Sequence, residues 1–123
     1  MRTLKDLMEK KQDVWFFVDD DVKADFVNEC NQLGYAFDKK SHSEDKTLTV
    51  ERCTNRMALY HPDKTLWYVA AMIWHYSFER PAGVVSIHTG KGGGPFFRVN
   101  YKRFINGEKD YIYNTRDSFW SDC

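Results

Sequence analysis

A chain of 123 residues with 18 basic and 18 acidic side chains has the size of one domain and no net charge, which argues against a polyanion binder working by bulk positive charge. No apolar run approaches the length of a membrane span, the longest (66–74) being of strand length. Cys30, Cys53 and Cys123 are odd in number, widely spaced and without a Cys-x-x-Cys pair, and the N-terminus lacks the apolar region of a signal peptide, so a reducing compartment, the cytoplasm, is expected and a disulfide scaffold is not.

In chain order, Thr3 with Asp6 three positions on predicts a short capped helix ending near Lys11. The run Val14, Trp15, Phe16, Phe17, Val18 is continuous, β-branched or aromatic, and predicts a buried strand. Asp19, Asp20 and Asp21 suit a helix start, where carboxylates oppose the positive end of the macrodipole. Val22, Phe26, Cys30 and Leu33 recur at helical spacing, and Gly34 stands where a left-handed C-terminal cap belongs.

A brief strand is expected at 35–37, then a solvated loop over 38–46, then strands at 47–52 and 56–60. A turn at 61–64 with Pro62 second leads into the long run 65–78. Read as a strand, that run places Leu66, Tyr68, Ala70, Met72 and Trp74 on one face; Ala70-Ala71-Met72 would also suit a helix. A strand at 84–88 precedes Gly90, Lys91, Gly92, Gly93 and Gly94. The segments 96–105 and 110–114 then flank Asn106-Gly107, a strong hairpin signal, and Phe119 and Trp120 in the tail are expected to dock on the body. The sum is a single α+β domain over 1–123: an antiparallel sheet of about six strands built from hairpins, with two helices packed on one face.

Twenty aromatic residues (nine Phe, seven Tyr, four Trp) make up 16% of the chain and call for a sheet-based core or an adhesive face. Charge is unevenly spread. Residues 1–51 hold 8 basic and 12 acidic side chains, a balance of −4, and residues 80–116 hold 7 and 2, a balance of +5. Such asymmetry marks either an anionic partner or pairing within the molecule.

The glycine run could cradle a phosphate, with Lys91 adding charge. Its spacing fits neither a P-loop, which needs Gly-Lys-Ser/Thr opening a helix, nor the dinucleotide fingerprint. A hairpin tip is the plainer reading. The stretch Phe96, Phe97, Arg98, Val99, Asn100, Tyr101, Lys102, Arg103 mixes aromatics with cations, as single-stranded nucleic-acid binders do, although an amphipathic strand looks the same. Three consecutive aspartates lack the glycine and distal glutamate of a calcium loop, and His42, His61, His75 and His88 form no recognised metal set. With no nucleophile elbow and no metalloprotease motif, catalysis ranks last and no cofactor or metal is expected.

Two stretches, Leu33-Gly34-Tyr35-Ala36-Phe37 and the hairpin running from Arg56 to Val69, give residues 14–74 a layout that resembles the small accessory proteins carried by bacterial phages, prophages and conjugative elements. The resemblance implies an anti-defence role, such as an anti-CRISPR-like inhibitor, and transfers no site residue. The expected function is therefore a non-enzymatic binding or inhibitor protein that occupies a surface of a host protein or ribonucleoprotein. Lys91, Phe96, Arg98, Tyr101, Lys102 and Arg103 form the candidate contact surface. A nucleotide or phosphate-ligand domain using Gly90 to Gly94 is the alternative, and single-stranded nucleic-acid binding the second.

Overall fold

The computed structural model describes residues 2–9, 13–37, 46–61, 63–79 and 96–113. Expectations for the 38–45 loop, Pro62, the 84–88 strand, the glycine run with Lys91, Cys123, and Phe119 and Trp120 lie outside them. Helices α1 (Leu4–Met8), α2 (Lys23–Gln32), α3 (Ala71–Tyr76) and α4 (Tyr101–Ile105) accompany strands β1 (Asp13–Phe17), β2 (Ala36–Phe37), β3 (Arg56–Tyr60), β4 (Thr65–Tyr68) and β5 (Phe96–Asn100). The fold is α+β.

The sheet runs β2-β4-β3-β1-β5 and is mixed rather than antiparallel, with five strands rather than six among the described residues. Its middle follows the expectation: β3 pairs antiparallel with β1 (Val14 opposite Leu59) and with β4 (Met57 opposite Tyr68). Both outer pairings are parallel, β1 with β5 and β2 with β4. Parallel neighbours are joined by long crossovers rather than tight turns, so hairpin reasoning does not find them.

Strand alternation sorts the core into two layers. Val14, Phe16, Met57, Leu59, Leu66 and Val99 join one cluster with residues of α1, α2 and α4; Trp15, Ala58 and Tyr60 join a second with Trp74 of α3. Helices therefore cover both faces, not one. A sheet buried on both sides explains why β1 reads as an unbroken apolar run.

Three segments depart from expectation for local reasons. After Tyr68 the chain leaves the ladder, Trp74 N–H donates to the Ala70 carbonyl at 2.9 Å, and α3 begins. A helix turns Trp74 inward (0% exposed) and Met72 outward (81%), where a strand would have put them on one face. Residues 49–53 form a turn, with the Arg52 and Cys53 N–H groups on the Thr49 carbonyl, so Leu48 is buried while Val50 is exposed.

The segment 96–105 is half strand and half helix. Asn100 caps α4, its Oδ1 accepting from the Arg103 N–H at 2.9 Å, and its Nδ2 donates to the Tyr113 hydroxyl at 2.7 Å. Asn106-Gly107 is then a helix end rather than a hairpin. Gly107 (φ +80°) donates to Phe104, and Glu108 donates to Arg103, across the last turn. The same pattern closes α2 at Gly34 (φ +84°), through Gly34 to Asn31 and Tyr35 to Cys30.

α1 is held at its start by Asp6, whose Oδ2 accepts from the Thr3 N–H at 2.8 Å and from its hydroxyl at 3.1 Å. These bonds keep the Asp6 carboxyl below the usual carboxylate range. Glu29 of α2 ties three helices together, accepting from the Leu4 N–H at 3.0 Å and from the Tyr101 hydroxyl. Burial first, and Glu29 second, push the Tyr101 hydroxyl far above its ordinary pKa.

Candidate docking surface

The pairings bring the ends of β1, β4 and β5 and the start of β3 to one end of the sheet. Two clefts lined by described residues open there. One, of about 340 Å³, is walled by Thr54, Asn55, Arg56, Tyr68, Val69 and Ala70. Its frame is regular: Val69 N–H donates to the Arg56 carbonyl, Val18 N–H to the Asn55 carbonyl at 2.7 Å, and Asn55 Nδ2 to the Val18 carbonyl at 2.8 Å. Asn55 also donates to Asp20, which Lys23 approaches at 3.0 Å, and together they hold the Asp20 carboxyl below its usual range. Two residues beyond Ala70 stands Met72, the most exposed large apolar side chain among the described residues; Ala70 and Ala71 beside it are exposed too.

The second cleft, about 220 Å³, is lined by Asp19, Asn100, Lys102, Arg103 and Glu108. Lys102 donates to Asp21 at 2.6 Å, a bond that raises its pKa, and Arg103 donates to the Asp110 carbonyl at 3.3 Å. The acidic run after β1 and the basic pair after β5 thus meet, because their strands are parallel neighbours. The positive excess of the C-terminal part is in this measure consumed inside the molecule.

Of the six residues expected to form a contact surface, Lys102 and Arg103 lie half-buried at this end. Phe96 opens β5, about 13 Å from its far end, and Lys91 is outside the described residues. Arg98 (7% exposed) and Tyr101 (0%) belong to the interior, which corrects their assignment to a surface. Arg98 Nε donates to the Tyr113 carbonyl and Nη1 to the Ser77 carbonyl, both at 3.2 Å, while the guanidinium lies 4.2 Å from the Phe78 ring centroid. Desolvation pulls its pKa down. Tyr101 packs edge-on against Phe16 and Phe26. Alternation along 96–104 carried no sign of this, because β5 is buried on both faces.

The outer edge of β5 is closed. Asn100 N–H donates to the Tyr111 carbonyl and Tyr113 N–H to the Arg98 carbonyl, around a bridge between Val99 and Ile112. Arg2 donates to the Glu108 carbonyl and stacks 4.9 and 4.5 Å from the Phe104 and Tyr111 ring centroids. Along β2, Phe37 N–H donates to the Lys46 carbonyl at 2.9 Å. Strand addition by a partner has little free ladder at these positions.

Cys30 and Cys53 are buried in the helix-covered core. Burial pushes the Cys30 thiol well above its ordinary pKa and the Cys53 thiol up to about 11. Neither suits nucleophilic work, which needs thiolate. Burial also raises the Tyr35 hydroxyl to about 12. These shifts give a pH dependence of stability. The unfolded chain releases such protons near pH 9 to 10 while the folded chain holds them, so their contribution is complete below pH 9 and is lost as pH rises through 11 and 12. Urea midpoints are expected to hold up to pH 8 and fall above 9, less steeply in Cys53→Ala. A thiol reagent at pH 8 is expected to label neither Cys30 nor Cys53 until urea unfolds the chain.

Among the described residues, no group of three or more His, Cys, Asp or Glu side chains is arranged to hold a metal ion, and no helix is long and apolar enough to cross a membrane. No protein-family model, curated protein or solved structure matches this chain.

Proposed function

We propose that this domain is a non-enzymatic binding protein that occupies a surface of a protein partner through the end of its sheet where β1, β4 and β5 finish. The observation that carries this reading is Met72. Its helix is fixed by a fully buried Trp74, yet Met72 is 81% exposed, two residues along the chain from Ala70 in the wall of the cleft shared with Tyr68, Val69 and Arg56. Methionine, tyrosine and arginine are the residue types enriched where proteins meet, and methionine adapts its shape to a partner. Asp19 and Glu108, beside Lys102 and Arg103, disfavour a polyanion at the same end. The layout of residues 14–74 supports taking the gene as a phage or mobile-element gene and the partner as a host defence factor.

The test uses the tagged full chain expressed in its host. The wild type and Met72→Leu are expected to co-purify the same protein in the same ratio. Met72→Glu is expected to lose it by about 30-fold, as a hot-spot change of about 2 kcal/mol would, and with it any protection of an infecting phage. Equal recovery with Met72→Glu at an unchanged melting temperature would overturn the reading.

A further inference from the structure

We propose that Met72 is a modification site for two-electron oxygen donors of the peroxide class, oxidised in preference to Met8 and Met57 and without damage to the fold. In such a step the thioether sulfur attacks one peroxide oxygen. The O–O bond breaks, an S–O bond forms, and the proton of the transferred hydroxyl passes to the departing oxygen. That oxygen leaves as water from hydrogen peroxide or as an alcohol from an organic hydroperoxide, while the sulfur gives up two electrons to become a sulfoxide.

Selectivity follows from how differently the described methionines are placed. Met72 is 81% exposed, whereas Met8 and Met57 are 2% and 0% exposed in the helix-covered core. The Thr54 hydroxyl, which donates to the Arg56 carbonyl at 2.9 Å, also lies 3.3 Å from the Met57 sulfur and crowds one side of it. A sulfoxide at Met8 or Met57 would put a strong dipole among apolar side chains; at Met72 it points into water, and Trp74 continues to hold the helix. Oxidation therefore changes the most exposed large apolar side chain among the described residues into a polar one. The exposure pattern alone supports the modification. Its consequence, release of a docked partner, rests on the reading of Met72 as a docking residue.

The full chain is treated with hydrogen peroxide and its peptides are mapped by mass spectrometry. Oxygen is expected on the Met72 peptide about tenfold or more faster than on the Met8 and Met57 peptides, with near-equal rates once urea unfolds the chain. The melting temperature of the oxidised chain should be unchanged, and methionine sulfoxide reductase should restore the original mass. Oxidation of Met8 or Met57 in the folded chain within about threefold of Met72, or a lowered melting temperature, would overturn the site. A separate arm compares partner co-purification by oxidised wild type, oxidised wild type repaired with methionine sulfoxide reductase, and untreated Met72→Gln. Loss in the first and third, with retention in the second, supports release. Retention in all three, with selective oxidation intact, overturns release and the docking reading while the modification site stands.

Discussion

Trp74→Ala is expected to destabilise the chain by about 3–5 kcal/mol, as large-to-small changes of fully buried aromatics do. Trp74 is 0% exposed and is the centre of the second core layer. Its ring stacks with Trp15 at 6.3 Å and 27°, and meets Phe78 and Tyr113 edge-on at 6.3 Å each. α3 has six residues, too few for an isolated helix to persist in water, so its existence depends on this packing. Met72→Ala, two residues away in the same helix, is expected to change stability by no more than about 0.5 kcal/mol. Urea unfolding of the two variants reads the difference. Similar small losses in both would mean that α3 does not cover the sheet.

Arg98→Glu is expected to cost about as much as breaking a buried ion pair, about 3–5 kcal/mol. That is a large share of the roughly 5–15 kcal/mol that holds a domain together. The substitution replaces donors by acceptors opposite the Tyr113 and Ser77 carbonyls and removes a cation from the face of Phe78. Arg98→Lys should recover only part of the loss, because an ammonium cannot span both carbonyls in one plane. Lys102→Glu, at an exposed pair with Asp21, should leave the fold intact. Circular dichroism with urea titration separates these cases. If Arg98→Glu unfolds at the wild-type midpoint, Arg98 is a surface residue after all.

Arg98 and Lys102 also show where sequence reasoning stops. Both are cations in an aromatic-rich stretch, and period-two alternation gave them the same face. The strand ends between them, at Asn100, and only the cap bond to Arg103 marks the change of period. Gly34 and Gly107 make the same point from the other side. They close their helices with the same pair of bonds, yet only Gly34 follows a long apolar repeat that announces a helix. Before Gly107 the helical signal is Tyr101 and Phe104 alone, and Asn-Gly reads as a hairpin. The apolar run of β1, the α2 repeat and the β3–β4 hairpin were legible because each is settled by neighbours in sequence. The parallel partners of β1 and β4 were not, since pairing across a long crossover leaves no local mark. The meeting of Asp21 with Lys102 was hidden for the same reason.

Met72 is proposed to be displayed for a partner by a helix that the buried Trp74 anchors to the core. Site-specific photocrosslinking in the host tests this most directly, with a photoreactive residue at position 72 and, as control, at position 5, whose lysine side chain is 67% exposed on α1. A single discrete adduct from position 72 and none from position 5 is the predicted result. No discrete adduct at 72, or the same adducts from both positions, would contradict it.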